Sequence, residues 1–251
     1  MNAIRSIKQN GWMYSIAILF NRLVPEWLFR TRRFVVYQID PNKVVANPSD
    51  DSAIEPLITI HRCSTEAEIR AVEKLTYFQR SYTTGNATAY CIHLEDQLVA
   101  GMWAATHCFD ENELGVRIRL NQNQTWLFAA SVPKEFRRQG LYSKLLSFTI
   151  NDLTKLGYDD LLVAVNPDNV GSNGIHQKLS KQTVGHVLAI RFWKTTCCWT
   201  WGDIRKDSTI SWNSPSQPIG IRREPAQVTG RTAQRNRQGN PAGLFRSKQD
   251  A

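Results

Sequence analysis

The apolar positions of this chain change period several times, and each change marks an element. "LITIHRC" (57–63) is rich in β-branched residues and reads as a strand. "STEAEIRAVEKLTYFQR" (64–80) switches to a helical rhythm, with Ser64 as its N-cap and Glu66 and Glu68 in the first turn. "ATAYCIHL" (87–94) and "LVAGMWAATHCF" (98–109) are strands joined by a charged turn, and a polar loop over 110–123 follows. "TWLFAASV" (125–132) is a near-continuous apolar run, which predicts a strand buried on both faces and ended by Pro133. From Leu141 through Leu145, Leu146 and Phe148 to Leu153 and Leu156 the spacing is three and four, which predicts an amphipathic helix. "DDLLVAV" (159–165) is a second buried strand and "NVGSNGIHQKLSK" (169–181) a second helix after it. "TVGHVLAIRFWK" (183–194) and "TCCWTW" (196–201) close the pattern. Residues 56–202 therefore run β-α-β-β-β-α-β-α-β-β, the signature of an α/β domain.

The flanks differ in character. Residues 1–40 read as a basic N-terminal helix/strand module: "WMYSIAILF" (12–20) is a short apolar helix and "RFVVYQI" (33–39) a strand. The apolar helix is too short to span a bilayer and lacks a small-residue cleavage site, so neither a membrane span nor a signal peptide is expected. Residues 41–55 are a proline-bearing linker, and 203–251 a basic tail expected to be disordered. The formal charge of +9 belongs to these flanks. Six Lys/Arg stand against Glu26 in 1–34 and seven against Glu224 and Asp250 in 214–251, so the middle is close to neutral. The tail's arginines lack regularly spaced aromatic partners, and no specific nucleic acid is expected. The apolar, basic segment 1–34 suits weak contact with a membrane surface.

The five cysteines form neither a CxxC pair nor a dense disulfide framework. Reduced thiols and a cytoplasmic location are the expectation. The five histidines are scattered, with no H-x-x-x-H and no His/Cys cluster, so no metal site is expected. Trp126, Trp193, Trp199 and Trp201 are candidates for an acceptor pocket, although aromatics on strands more often serve the core or a sheet face.

The helix that begins at Leu141 has the chemistry of an anion site at its start. Its first turn leaves N–H groups without intrahelical acceptors, and the peptide dipoles place partial positive charge there. Gly140 removes a side chain that would keep a phosphate away, and Arg137 and Arg138 add formal charge.

"RRQGLY" (137–142), opening a helix directly after a buried strand, resembles the cofactor motif Q/R-x-x-G-x-G/A of the Gcn5-related N-acetyltransferase (GNAT) superfamily, with Tyr142 in place of the final small residue. A second stretch of the family, N-x-x-S-x-x-L-H-E-K-L-G-F, is matched by Asn169, Ser172, Ile175, His176, Lys178 and Leu179. Its Gly-Phe has become Ser180-Lys181. The resemblance covers residues 56–202 and implies a mixed, twisted sheet with splayed central strands and flanking helices. It also implies acetyl-CoA as co-substrate. Ala130, Ser131 and Val132 would meet the pantetheine arm and acetyl carbonyl, and the amides of Arg138, Gln139, Gly140, Leu141, Tyr142 and Ser143, with Arg137 beside them, would hold the pyrophosphate. Asn169 and Ser172 would contact the cofactor near its thiol end, and His176 would stand as general acid where the family often has Tyr. Glu111 and Glu113 are weak candidates for a general base.

The reading that follows is an N-acetyltransferase that moves an acetyl group from acetyl-CoA to the primary amine of a small molecule or peptide by direct attack. The alternatives are a non-catalytic acyl-CoA-binding or interaction module of the same fold, and a membrane-associated acyltransferase. Acceptor identity and oligomeric state have no readable code.

Overall fold

The computed structural model describes residues 23–25, 28–45, 57–80, 87–111, 114, 116–206, 210–212 and 219–221. The apolar segment 12–20, Glu113 and residues 222–251 lie outside them. In chain order the elements are β1 (Phe29–Ile39), α1 (Pro41–Val45), β2 (Ile58–Arg62), α2 (Glu66–Thr76), β3 (Ala87–Leu94), β4 (Gln97–Thr106), β5 (Cys108–Glu111), β6 (Val116–Arg119) and β7 (Gln124–Ser131). A single 3-10 turn (Lys134–Phe136) then leads to α3 (Leu141–Lys155), β8 (Asp160–Val165), α4 (Val170–Leu179), β9 (Ser180–Phe192), β10 (Thr195–Gly202), β11 (Ile204–Lys206), β12 (Ile210–Trp212) and β13 (Ile219–Ile221).

Nine strands make the main sheet in the order β12-β10-β9-β1-β8-β7-β4-β3-β2. All neighbours in it are antiparallel except β7 and β8. The period-two alternation of β3 and β4 sends successive side chains to opposite layers. Tyr90, Ile92, Met102 and Ala104 pack with Leu141, Leu145, Leu146, Ile150 and Leu153 of α3 on one face. Ala89, Cys91 and Trp103 meet Val72 of α2 on the other.

Helix α2 starts one residue later than expected. Thr65, not Ser64, is the N-cap: its hydroxyl accepts from the Glu68 N–H, while the Glu68 carboxylate accepts from the backbone of Thr65 and Ser64. That reciprocal pair is a capping box, which serves more donors than either cap alone.

Three segments differ from expectation. The strand assigned to a separate N-terminal module, β1, lies inside the main sheet between β8 and β9. Val35, Val36, Tyr37, Gln38 and Ile39 are all buried there, because a strand with partners on both sides and layers on both faces meets no solvent. Residues 108–119 form a hairpin instead of a polar loop. In it Asp110 accepts from Arg117 at 2.6 Å, and Phe109, Val116 and Ile118 cover a second core cluster that contains Trp126 and Leu162. Finally, strands continue past residue 203: β11, β13, β6 and β5 make a small second sheet, and β12 pairs with β10.

Among the described residues no helix is long and apolar enough to cross a membrane. All five cysteines are free thiols.

Candidate active site

The site follows from an irregularity in β7. On its β4 side the register passes from Gly101↔Ser131 to Trp103↔Phe128, so Ala129 and Ala130 oppose the single residue Met102. Ala129 takes up this β-bulge with a φ of 47°. A bulge bends and twists the strand that carries it. On the other side, parallel pairing with β8 runs from Gln124↔Asp160 to Leu127↔Val163 and stops, although β7 continues to Ser131 and β8 to Val165. The β8-facing edge of residues 128–131 is left without a ladder partner in β8. The resulting split is a cleft of about 460 Å³, walled by Phe128–Val132 on one side and Val163–Asn166 on the other, with Met102 and Leu127 at its base.

The closed end of the split is pinned by a buried carboxylate. Asp160, 4% exposed, accepts 2.8 Å from Gln124 Nε2 of β7 and 2.9 Å from Gln38 Nε2 of β1. Three neighbouring strands are thus tied together just where β7 and β8 are still paired.

At the other end stands the start of α3. Gly140 is its N-cap, with φ 73° and ψ 0°, a left-handed conformation that glycine adopts without steric cost. No side chain caps this helix, so its first-turn N–H groups remain available to an external acceptor. Arg138 is also left-handed, at φ 67°. Arg137 is exposed, borders the cleft and donates from Nε to the Val132 carbonyl at 2.9 Å, which ties the turn to the end of β7.

Across the cleft α4 supplies the polar side chains. Asn169 borders the cleft and caps α4: its Oδ1 accepts from the Ser172 N–H at 3.1 Å. Ser172 and His176, one turn apart, border it too. His176 is 3% exposed, and its Nδ1 lies 2.8 Å from the Ser172 carbonyl, which can only accept. Nδ1 therefore carries the proton, and Nε2 accepts from the Tyr142 hydroxyl at 2.7 Å. Burial pushes the His176 pKa down, only partly offset by the bond to Ser172, and burial pushes the Tyr142 phenol up. Both groups are neutral near pH 7.

Of the residues singled out from the sequence, Ala130, Ser131, Val132, Arg137, Tyr142, Asn169, Ser172 and His176 converge on this one cleft. Arg138, Gly140 and Ser143 belong to the adjoining turn and helix start. Gln139 and Leu141 turn their side chains elsewhere: Gln139 borders a separate shallow depression with Glu135 and Phe136, and Leu141 is buried in the core beneath α3, so only their amides remain for a ligand. Glu111 lies in β5 and does not border the cleft. Trp126 is core, stacked on Phe109, whereas Trp193, Trp199 and Trp201 are exposed and line no part of the cleft. Met102, Phe128 and Asn166 were not foreseen. The expectation that histidine and cysteine do not cluster is also corrected: pairing of β2 with β3 brings His61, Cys91 and His93 together.

The acetyltransferase (GNAT) family matches residues 54–180, half of the chain. The chain belongs to the GNAT acetyltransferase family. Solved structures similar to it include a GCN5-related N-acetyltransferase from Kribbella flavida, at 14% identity and a TM-score of 0.44, over 72% of this chain and 63% of that one. Others are an aminoglycoside acetyltransferase from an uncultured soil metagenomic sample (14%, TM-score 0.39, 52% and 95%) and the ribosomal-protein-S18-alanine N-acetyltransferase from Escherichia coli (17%, TM-score 0.39, 49% and 76%). No curated protein matches the sequence. For this GNAT chain the matched segment holds β4, β7, α3, β8, α4 and the turns between them, and therefore every side chain that borders the cleft.

Proposed function

We propose that this GNAT acetyltransferase uses acetyl-CoA and transfers the acetyl group to a primary amine of a small molecule or peptide by direct attack. The observation that carries the reading is the split sheet leading to an uncapped helix start: the free edge of residues 128–131 runs toward the Gly140 turn. A thioester arm suits the first and a pyrophosphate the second. The unpaired backbone groups at 128–131 would bind the pantetheine amides and polarise the acetyl carbonyl as it gains negative charge. The amides from Arg138 to Ser143, with the Arg137 and Arg138 guanidinium groups, would hold the pyrophosphate. Asn169 and Ser172 would border the thiol end.

Both ring nitrogens of His176 are engaged, Nδ1 by the Ser172 carbonyl and Nε2 by the Tyr142 hydroxyl, so the direct general-acid role expected for it becomes a relay through Tyr142. The Tyr142 oxygen would take a proton from the attacking amine while the Tyr142 hydroxyl passes its own to His176 Nε2. Return along the same path protonates the departing thiolate. One proton leaves the amine and one reaches sulfur, and the imidazole ends as it began. A depressed His176 pKa favours that return, since a buried imidazolium gives up its proton readily. The free thiols support a cytoplasmic setting.

Calorimetric titration of acetyl-CoA into the wild-type protein and into Gly140→Trp tests the binding site, and thiol release across an amine panel tests transfer. Binding by wild type alone, with thiol release, supports the reading. Binding without turnover on any amine would make the chain a non-catalytic acyl-CoA-binding module. Absence of binding removes the enzyme reading.

A further inference from the structure

On the α2 side of the sheet, away from the cleft, β2 and β3 place their donor atoms together. β2 carries His61, with Cys63 one residue past its end, and β3 carries Cys91-Ile92-His93, and residues two apart on a strand share a face. Register sets His61 directly opposite Cys91. Cys91 Sγ lies 3.5 Å from His61 Nε2 and 3.8 Å from His93 Nδ1, and the three donor atoms all lie within 4.8 Å of one another. The two imidazoles are stacked, with centroids 5.5 Å apart and planes 11° from parallel. A tetrahedral zinc ion with Zn–S of about 2.3 Å and Zn–N of about 2.0–2.1 Å requires sulfur-to-nitrogen edges of roughly 3.5 Å. The two sulfur-to-nitrogen spacings match those edges, and the two imidazoles must tilt from their stacked arrangement to bring their nitrogens to the nitrogen-to-nitrogen edge of roughly 3.3 Å.

We propose that His61, Cys91 and His93 form a binding site for a borderline-soft divalent cation, zinc in particular. Mixed nitrogen and sulfur donors select such ions over magnesium or calcium. The plain alternative, that Cys91 serves as a small apolar core residue, accounts for its packing beside Val72, Ala89 and Trp103 but not for the polar atoms around its sulfur. Cys91, fully buried, also meets two imidazole nitrogens, the His61 carbonyl at 3.8 Å and the Cys63 sulfur at 3.3 Å. His61 Nε2 now donates to the Glu68 carboxylate at 2.8 Å, so a bound cation takes the place of that proton and keeps the carboxylate's negative charge beside it. His61 and His93 are half-buried, so both rings are reachable from solvent.

Cys63 separates this proposal from a redox pair. It flanks the His61–Cys91 pair on the side away from His93, so a Cys63–Cys91 disulfide needs Cys63, whereas the cation site does not. The experiment is titration of reduced, chelator-treated protein with Co²⁺, read by thiolate-to-cobalt charge-transfer absorption, then displacement by Zn²⁺. One equivalent is expected, with at least about tenfold weaker binding in His93→Ala and His61→Ala and no charge-transfer band in Cys91→Ala. Cys63→Ser is expected to bind like wild type. Circular dichroism checks each fold, and because the two histidines are half-buried their variants carry the test if Cys91→Ala unfolds. The proposal is overturned if wild type shows no charge-transfer band, if the histidine variants bind unchanged, or if Cys63→Ser alone abolishes binding.

Discussion

Replacing Tyr142 by Phe removes one oxygen and separates two consequences that the geometry links. The first is structural. His176 Nε2 loses its donor at 2.7 Å in a site where the ring is 3% exposed, and an unsatisfied buried acceptor costs about 1–3 kcal/mol. For a domain of this size that is a fall in Tm of about 2–4 °C per kcal/mol. The second is kinetic. If the hydroxyl relays the amine proton, its loss lowers kcat by about 100-fold, the lower end for general acid–base catalysis, since a thiolate leaves readily without full protonation. That is about 2.7 kcal/mol on the barrier, measured on protein still folded at 25 °C. The assay is steady-state thiol release with a reactive amine, beside acetyl-CoA titration to show intact binding. His176 must be neutral to accept the proton, so kcat/KM of wild type has an acid limb below the ordinary histidine value of 6.5, which His176→Gln removes. A Tyr142→Phe enzyme with kcat within about twofold of wild type, whatever its Tm, refutes the relay and leaves Tyr142 as a packing residue.

Gly140→Ala places a Cβ at φ 73°, which costs about 1–2 kcal/mol, and acetyl-CoA affinity is expected to fall with it; unchanged affinity by calorimetry counts against the turn as the pyrophosphate site. The Arg137→Ala, Arg138→Ala double variant, altering exposed side chains, is expected to weaken acetyl-CoA about fivefold to tenfold at low salt and less at high salt. Equal loss at both salt levels argues against an electrostatic contact. Asp160→Ala leaves two buried amides without their acceptor and is expected to cost about 3 kcal/mol or more in urea unfolding, far more than a surface change. The pH response follows from His176 and His186, both held below 6.5, the former by burial and the latter by burial and Arg33. The unfolded chain binds more protons between the folded and unfolded values, so stability is full above about pH 6.5 and falls as pH drops through the lowered pKa values. Urea midpoints that are flat between pH 7.5 and 5.5 contradict this.

The helices and buried strands of 56–202 were legible because each carries a local signal. Leu141, Leu145 and Leu146 repeat at helical spacing, and the apolar run of 125–132 marks β7, although the strand is buried only at 124–127 and is half-buried or exposed at 128–131, where it lines the cleft. Partners are nonlocal, and there the chain was opaque. β1 was readable as a strand, but nothing in "RFVVYQI" states that it enters between β8 and β9. The β5–β6 hairpin was visible as the alternation Val116-Arg117-Ile118-Arg119, masked by the charged residues around it. The helix start at Gly140, with no side-chain cap and two arginines beside it, was legible because it depends on residues within one turn. The Tyr142–His176 bond joins residues 34 apart and was not, even though both positions had been singled out. The H-x-C and C-x-H pair of β2 and β3 acquires meaning only once antiparallel register sets His61 against Cys91.

The cleft is held open by opposing features at its two ends. At the open end the bulge at Ala129 and Ala130 commits β7 to β4, and its edge toward β8 is left unpaired. Residues 128–131 are half-buried or exposed, so this edge is open to solvent and to the extended, amide-bearing ligand proposed for it. At the closed end Asp160 gathers Gln124 and Gln38, so that β7, β8 and β1 do not unzip further. β1 is essential to this balance: it gives β8 a second antiparallel neighbour through Val35↔Val165 to Gln38↔Leu162. β8 can therefore part from β7 beyond Val163 and remain a bonded strand. The N-terminal strand thus acts as structural support for the split on which the proposed chemistry depends. Weakening its Gln38 tie should loosen the cleft before it unfolds the domain.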